Sequence, residues 1–211
     1  MKSRQTPVVA VRKRPQQARS EQLVADILQA ATRVLAREGA RRFTTARVAE
    51  AAGVSVGSLY QYFPNKAAIL FRLQVEEWRA TAGLLQSILA DRNRPPFERL
   101  RLVTRAFFRS ECEEASLRVA LSDTAALYRD APESKEHKSS ADRYLLPLVQ
   151  EVLPAASTKQ RRLATEVVTM TLYTLGKKAS ELGRSLPEVD ALAGQVGDML
   201  CAYLEKMRKT T

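Results

Sequence analysis

The sequence predicts an all-α fold, and three observations carry that expectation. Apolar residues recur at i, i+3, i+4 and i+7 along most of the 211 residues, the period of an amphipathic helix. The breaks between these stretches hold Gly, Pro, Asn or Asp, which stop and start helices. No pair of alternating apolar runs meets across a two-residue turn, so nothing reads as a β-hairpin.

Composition sets the outer limits. With 45% hydrophobic residues the chain can bury a sizeable core. Charges interrupt the apolar runs well short of the roughly 20 residues that a spanning helix needs, so no membrane segment is expected. The first 14 residues lack the apolar stretch of a secretory signal, and a cytoplasmic location is expected. Cys112 and Cys201 have no C-x-x-C pairing and read as small buried hydrophobes rather than as a disulfide or zinc site.

Taken in order, residues 1–18 are rich in Arg, Lys, Gln and Pro and read as a flexible basic arm. Arg12, Lys13 and Arg14 cluster there. They either lie along DNA phosphates or enter a minor groove, or they only solubilise the chain, and both readings stay open. Leu23, Ile27, Leu28, Ala31, Val34 and Leu35 then mark a first helix ended by Gly39. Phe43 reads as a core anchor.

Residues 44–63 read as two short helices across a tight turn. The hydroxyl of Thr44 or Thr45 caps the first and that of Ser55 the second, and Gly53 supplies the positive φ between them. Val48, Ala49, Ala52, Val54, Leu59 and Tyr62 form the inward set, with Ala49 small enough for a close crossing. This is helix-turn-helix spacing. Residues 19–65 are therefore expected to form a three-helix head.

Residues 66–211 are expected to form a larger helical domain. After Pro64 and Asn65, Lys66 begins a helix carrying Ile69, Leu70, Leu73, Trp78, Leu84, Leu85 and Ile88, to about residue 90. Beyond the break at 91–96, Phe97, Leu100, Val103, Phe107 and Phe108 mark one helix, and Leu117, Leu121, Leu127 and Tyr128 another. Residues 129–132 read as a loop. A helix restarting near Glu133 carries Tyr144, Leu145, Leu148 and Val152; Pro147 should kink it and Pro154 close it. Residues 158–182 and 187–207 are the last two helices.

Those two helices carry small residues at Gly176, Ala179 and Gly183 and at Gly194 and Gly197. Mid-helix glycine costs about 1 kcal/mol against alanine, so close packing is the expected reason. A two-fold dimer suits a palindromic DNA site. These residues, with Val189, Val196, Leu200 and Leu204, are expected to form a four-helix interface between two copies; packing within one chain is the competing account.

Charge is uneven. Residues 1–72 hold 13 Lys+Arg against 4 Asp+Glu, and the remainder 21 against 19, so most of the net +11 belongs to the N-terminal third that carries the helix-turn-helix. Cations that neutralise phosphates release counterions and supply most non-specific affinity for nucleic acid.

The run Phe43-Thr44-Thr45, Val48-Ala49, Ala52-Gly53-Val54, Gly57-Ser58-Leu59-Tyr60, Tyr62-Phe63 and Asn65-Lys66 resembles the signature of the TetR/AcrR family of bacterial transcriptional repressors. The resemblance covers residues 20–72. It implies a homodimer whose C-terminal domains bind a small inducer and thereby change the spacing of two DNA-reading heads. With it as a guide, Thr44, Thr45, Ser55 and Lys66 meet phosphate, and Val56, Gly57 and Ser58 lead the recognition helix into the major groove. Tyr60, Gln61 and Tyr62 share base-edge and phosphate contacts, whereas Leu59 and Phe63 belong to the core. Tyr62 has packing within the head as its alternative.

Trp78, Phe107, Phe108, Tyr128, Tyr144, Met170 and Tyr173 are candidates to line an inducer cavity, with Arg105 or Arg109 facing an acidic ligand. No cofactor or metal is expected. The sole histidine, His137, lies in a charged run, and no nucleophile set or phosphate loop accompanies it, which disfavours an enzyme. A non-specific DNA-packaging protein is the stronger competing class, because basicity alone would serve it.

Overall fold

The computed structural model describes residues 18–127 and 140–210. The basic arm with Arg14, Tyr128, the loop at 129–132, the restart near Glu133 and His137 lie outside the described residues. Nine α-helices occur among the described residues, and no strand. They are α1 Ala18–Arg42, α2 Thr45–Ala51, α3 Val56–Tyr62, α4 Lys66–Ala90, α5 Pro96–Glu113, α6 Ala115–Thr124, α7 Ser140–Val152, α8 Thr158–Ser180 and α9 Leu186–Thr210. A 3-10 turn, Ala125–Leu127, follows α6. None of the described helices is long and apolar enough to cross a membrane.

The helices form two units. Among the described residues the first comprises 18–78 together with 116–127, and the second 79–115 together with 140–210. The expected boundary at 65/66 therefore falls elsewhere: α4 contributes its first half to the first unit and its second half to the other. The physical reason lies in what α4 covers. Its Ala67, Ala68, Ile69, Leu70 and Leu73 are buried in the same core as Phe43, Val48, Leu59 and Phe63, and α6 adds Leu121 to that core.

In the first unit α1 buries Ile27, Leu28, Ala31, Val34 and Leu35, the stripe read from spacing. Gly39 adopts φ 72 and interrupts the helical dihedrals of α1, and a final turn runs on to Arg42. The α6 guanidinium of Arg118 donates to the Glu77 carboxylate of α4 at 2.6 Å, with the Glu77 side chain only 3% exposed.

In the second unit α5 lies against α8 and α9, and α7 packs on α8. Leu100, Val103, Phe107 and Phe108 of α5 are buried among residues of these helices. Pro95 and Pro96 start α5, where a missing N–H costs nothing. Ser157 and Gln160 form a capping box at the start of α8. Pro147 lies inside α7 without ending it.

One tether fastens three segments of this unit. The Arg99 side chain, 1% exposed, donates to both Glu151 carboxylate oxygens at 2.6 Å, to the Leu89 carbonyl at 2.8 Å and to the Arg94 carbonyl at 3.1 Å. The end of α4, the start of α5 and the end of α7 are thus bound to one planar cation, whose buried charge is met by a carboxylate.

Three of the small residues, Gly176, Ala179 and Gly197, do not face outward. Gly176 is buried, and a Cβ there would stand 2.8 Å from Cε1 of Phe107. At Gly197 it would stand 3.4 Å from the Arg101 Cα. Ala179, Val189, Val196, Leu200 and Leu204 are likewise buried in the core of their own chain. Gly183 adopts φ 58 just beyond α8, so it is a turn residue. Gly194 is half-buried, with open space where a Cβ would stand. The expected interface is corrected accordingly: close approach is the reason for Gly176 and Gly197, but the approaching helix is α5.

Candidate nucleic-acid interface and ligand cavities

The head is built from its caps upward. The Thr44 hydroxyl accepts from the Arg47 N–H at 3.3 Å, which selects Thr44 over Thr45 as the α2 cap. Ser55 Oγ accepts from the Ser58 N–H at 3.0 Å and lies 2.8 Å from Ser58 Oγ. Between the helices Gly53 adopts φ 68, with open space where a Cβ would stand, so conformation and not crowding requires glycine there. The Val54 N–H donates to the Ala49 carbonyl at 3.0 Å and closes the turn. Asn65 Oδ1 accepts from the Ala68 N–H at 2.9 Å and caps α4, leaving Lys66 exposed on its first turn.

The two edges of α3 differ. Leu59 and Tyr62 are buried, at 0% and 6% exposure, whereas Val56 and Tyr60 are 40% and 39% exposed. Gly57 and Gln61 are exposed beside them, and Ser58 is half-buried. The Tyr60 hydroxyl hydrogen-bonds with that of Thr45 at 3.1 Å, which ties the outer edge of α3 to α2. Tyr62 is corrected from a DNA contact to a head-core residue, because an i+3 step from Leu59 keeps it on the inward side. At Gly57 an added Cβ would meet only Ser55 Oγ, at 3.7 Å, so packing within the protein does not require glycine there.

The same unit has an arginine-rich cleft between α1 and α2, lined by Arg33, Arg37, Arg42 and Arg47 with Glu38 and Glu50. Arg37 donates to Glu38 at 2.9 Å, and Arg47 also pairs with that carboxylate. The Arg37 hydrogen bond, with Arg47 nearby, holds the Glu38 carboxyl below its usual range. Spacing alone did not single out this cleft, although Arg33 and Arg37 sit at i, i+4 on the outer face of α1.

The cavity candidates separate. Phe107, Tyr144 and Tyr173 line one small apolar cavity of about 20 Å³ with Leu85, Leu89 and Leu172, and the Phe107 and Tyr173 rings meet edge-on at 5.0 Å. Arg105 and Arg109 instead line a groove between α4 and α5 of about 560 Å³. Three candidates are elsewhere. Phe108 is fully buried in the helix core, Trp78 packs against the core of the first unit, and Met170, 61% exposed, stands on the outer face of α8. Arg109 is committed to Asp190 of α9 through Nε at 2.6 Å and a second contact, which pulls the Asp190 carboxyl below its usual range. Burial raises the pKa of the Cys112 and Cys201 thiols, opposite to what a reactive thiolate needs.

Two short helices joined at a positive-φ glycine, with one edge of the second helix left exposed, define a helix-turn-helix DNA-binding protein. The sequence comparisons identify which one. Residues 27–73 match the model for bacterial regulatory proteins of the tetR family, and residues 95–207 match the tetracyclin repressor-like C-terminal domain. The chain belongs to the tetR family of transcriptional regulators.

Among individual relatives, the nucleoid occlusion factor SlmA of Vibrio vulnificus is 40% identical over 79 residues, 37% of this chain and 40% of that protein. The chain thus spans about 40% of the length of the curated relatives it matches. A tetR-family regulator from Mesorhizobium loti shares the fold with a TM-score of 0.69 at 20% identity, over 89% of this chain and 98% of that one. The fatty acid degradation regulator FadR from Bacillus halodurans does so with a TM-score of 0.65 at 21% identity, over 89% and 96%.

Proposed function

We propose that the protein is a ligand-responsive repressor that binds a palindromic duplex operator as a homodimer and is released by a small-molecule inducer, in the cytoplasm. The exposed edge of α3, with Val56, Gly57, Tyr60 and Gln61 presented together on a capped and packed head, is the observation that carries this reading. In this reading Val56 touches a thymine methyl, Ser58 donates to or accepts from base edges, Gln61 reads adenine with two hydrogen bonds, and Thr44, Thr45, Ser55 and Lys66 make the phosphate contacts that fix register.

The second copy has a different seat from the glycine faces. Leu163, Val167 and Met170 of α8 are 56%, 36% and 61% exposed at i, i+4 and i+7, and Met199 of α9 is 51% exposed. An apolar stripe of this kind is what one copy offers an identical one across a two-fold axis.

An inducer acts only by preferring the arrangement that cannot bind DNA, since equal affinity for both arrangements shifts nothing. To test the reading, a duplex is selected from a random pool and binding of Tyr60→Ala is measured against it. The variant is expected to lose about tenfold to a hundredfold in affinity for the selected duplex and little for random DNA. Undiminished binding to the selected duplex would sink the recognition-helix assignment. A non-specific packaging protein would show almost no preference between the two duplexes, whereas a repressor retains a ratio of about 10³ or more.

A further inference from the structure

We infer that the α4–α5 groove of the second unit is a binding site for an amphipathic carboxylate, with Arg105 holding the acid group and Leu84, Ile88 and Leu102 receiving the apolar part. This inference rests on the ligand-responsive reading and specifies the chemistry of the ligand.

Size is the first argument. At about 560 Å³ the groove falls within the range of small-molecule sites, whereas the cavity behind Phe107 holds about 20 Å³, room for roughly one water. Composition is the second. Leu84 is 44% exposed on the groove wall, and Ile88 and Leu102 are half-buried beside it, so apolar area stands open next to charge.

The charges themselves select the headgroup. Three arginines line the groove, and two are already committed: Arg94 to Asp91 at 3.0 Å and to Glu98, Arg109 to Asp190. Among the described residues Arg105 is the one groove arginine that makes no hydrogen bond or ion pair; it acts on the Asp190 carboxylate only through its charge, and its N–H donors are not engaged there. Its guanidinium offers the planar pair of donors that a carboxylate accepts side by side. Asp91 and Glu113 also line the groove, and their charges oppose a dianion, which favours a singly charged acid over a phosphate monoester. Adjacent faces of the same two helices line the inner cavity, Leu85 and Leu89 from α4 and Val103 and Phe107 from α5. A longer apolar chain therefore has an apolar space to enter if the two helices part.

The test uses the full chain without DNA, with laurate and dodecanol as probes below their micellar concentrations, followed by titration calorimetry. Wild-type protein is expected to bind both. Arg105→Gln should weaken laurate about tenfold and leave dodecanol unchanged, whereas Leu84→Gln should weaken both. Both positions are exposed, so neither change removes core packing. No laurate binding by the wild type, or equal laurate affinity in Arg105→Gln, would overturn the site. Adding the selected duplex then separates the two readings. Laurate bound without release of DNA supports the site and overturns the inducer role.

Discussion

Tyr60 and Tyr62 lie two residues apart and have different fates. A two-residue step along a helix turns about 200°, so one ring faces out while the other joins Leu59 in the core. Gly57 follows the same logic. Its surroundings within the protein are open, so Gly57→Ala should raise thermal stability by up to about 1 kcal/mol through helix propensity. The same methyl projects from the edge assigned to DNA, and operator affinity should fall. A stabilised variant with unchanged operator binding would show that no base edge comes close to residue 57.

At the level of elements, two glycines in neighbouring helices make opposite predictions. Gly176→Ala places a methyl 2.8 Å from the buried Phe107 ring, which is itself held against Tyr173, and overpacking should outweigh propensity by about 1 kcal/mol. Gly194→Ala meets open space and should stabilise by about 1 kcal/mol. Paired thermal melts decide it, and equal shifts of the same sign would contradict the packing account.

The Arg99 tether is an element-scale joint as well. Glu151→Gln keeps the shape but removes the charge that a buried guanidinium faces, and should cost about 1–3 kcal/mol in urea unfolding. Asp190 on α9 has its carboxyl held low chiefly by the Arg109 hydrogen bond. A depressed folded-state pKa stabilises above the ordinary carboxylate value of about 4 and loses that contribution as pH falls through the folded value. Asp190→Asn should therefore shallow the acid limb of the stability profile while leaving its slope near neutrality alone.

For the whole molecule, the proposed dimer is tested by substitutions in the exposed α8 stripe and at the glycine face. Met170→Glu sets a charge in the exposed α8 stripe and should convert a dimer into a monomer, read as mass by light scattering. Gly197→Glu instead drives a side chain into α5 and should unfold the second unit. A dimer that survives Met170→Glu would place the interface away from α8.

The helices, their caps and the helix-turn-helix were legible in the sequence because caps, turn glycines and apolar period are local properties within a few residues. Thr44, Ser55, Gly53 and the stripe of α1 are all of that kind. So was the exposed edge of α3, apart from Tyr62. What lay beyond reach were contacts between segments far apart in the chain: α6 returning to the first unit, Gly176 against Phe107, Arg99 against Glu151, and Arg105 left without a hydrogen bond beside two committed arginines. A glycine or an aromatic residue has the same letter whether it faces its own core or a partner. Only the tertiary structure decides which, because the deciding quantity is the distance to a residue tens of positions away, and spacing along one helix carries no record of it.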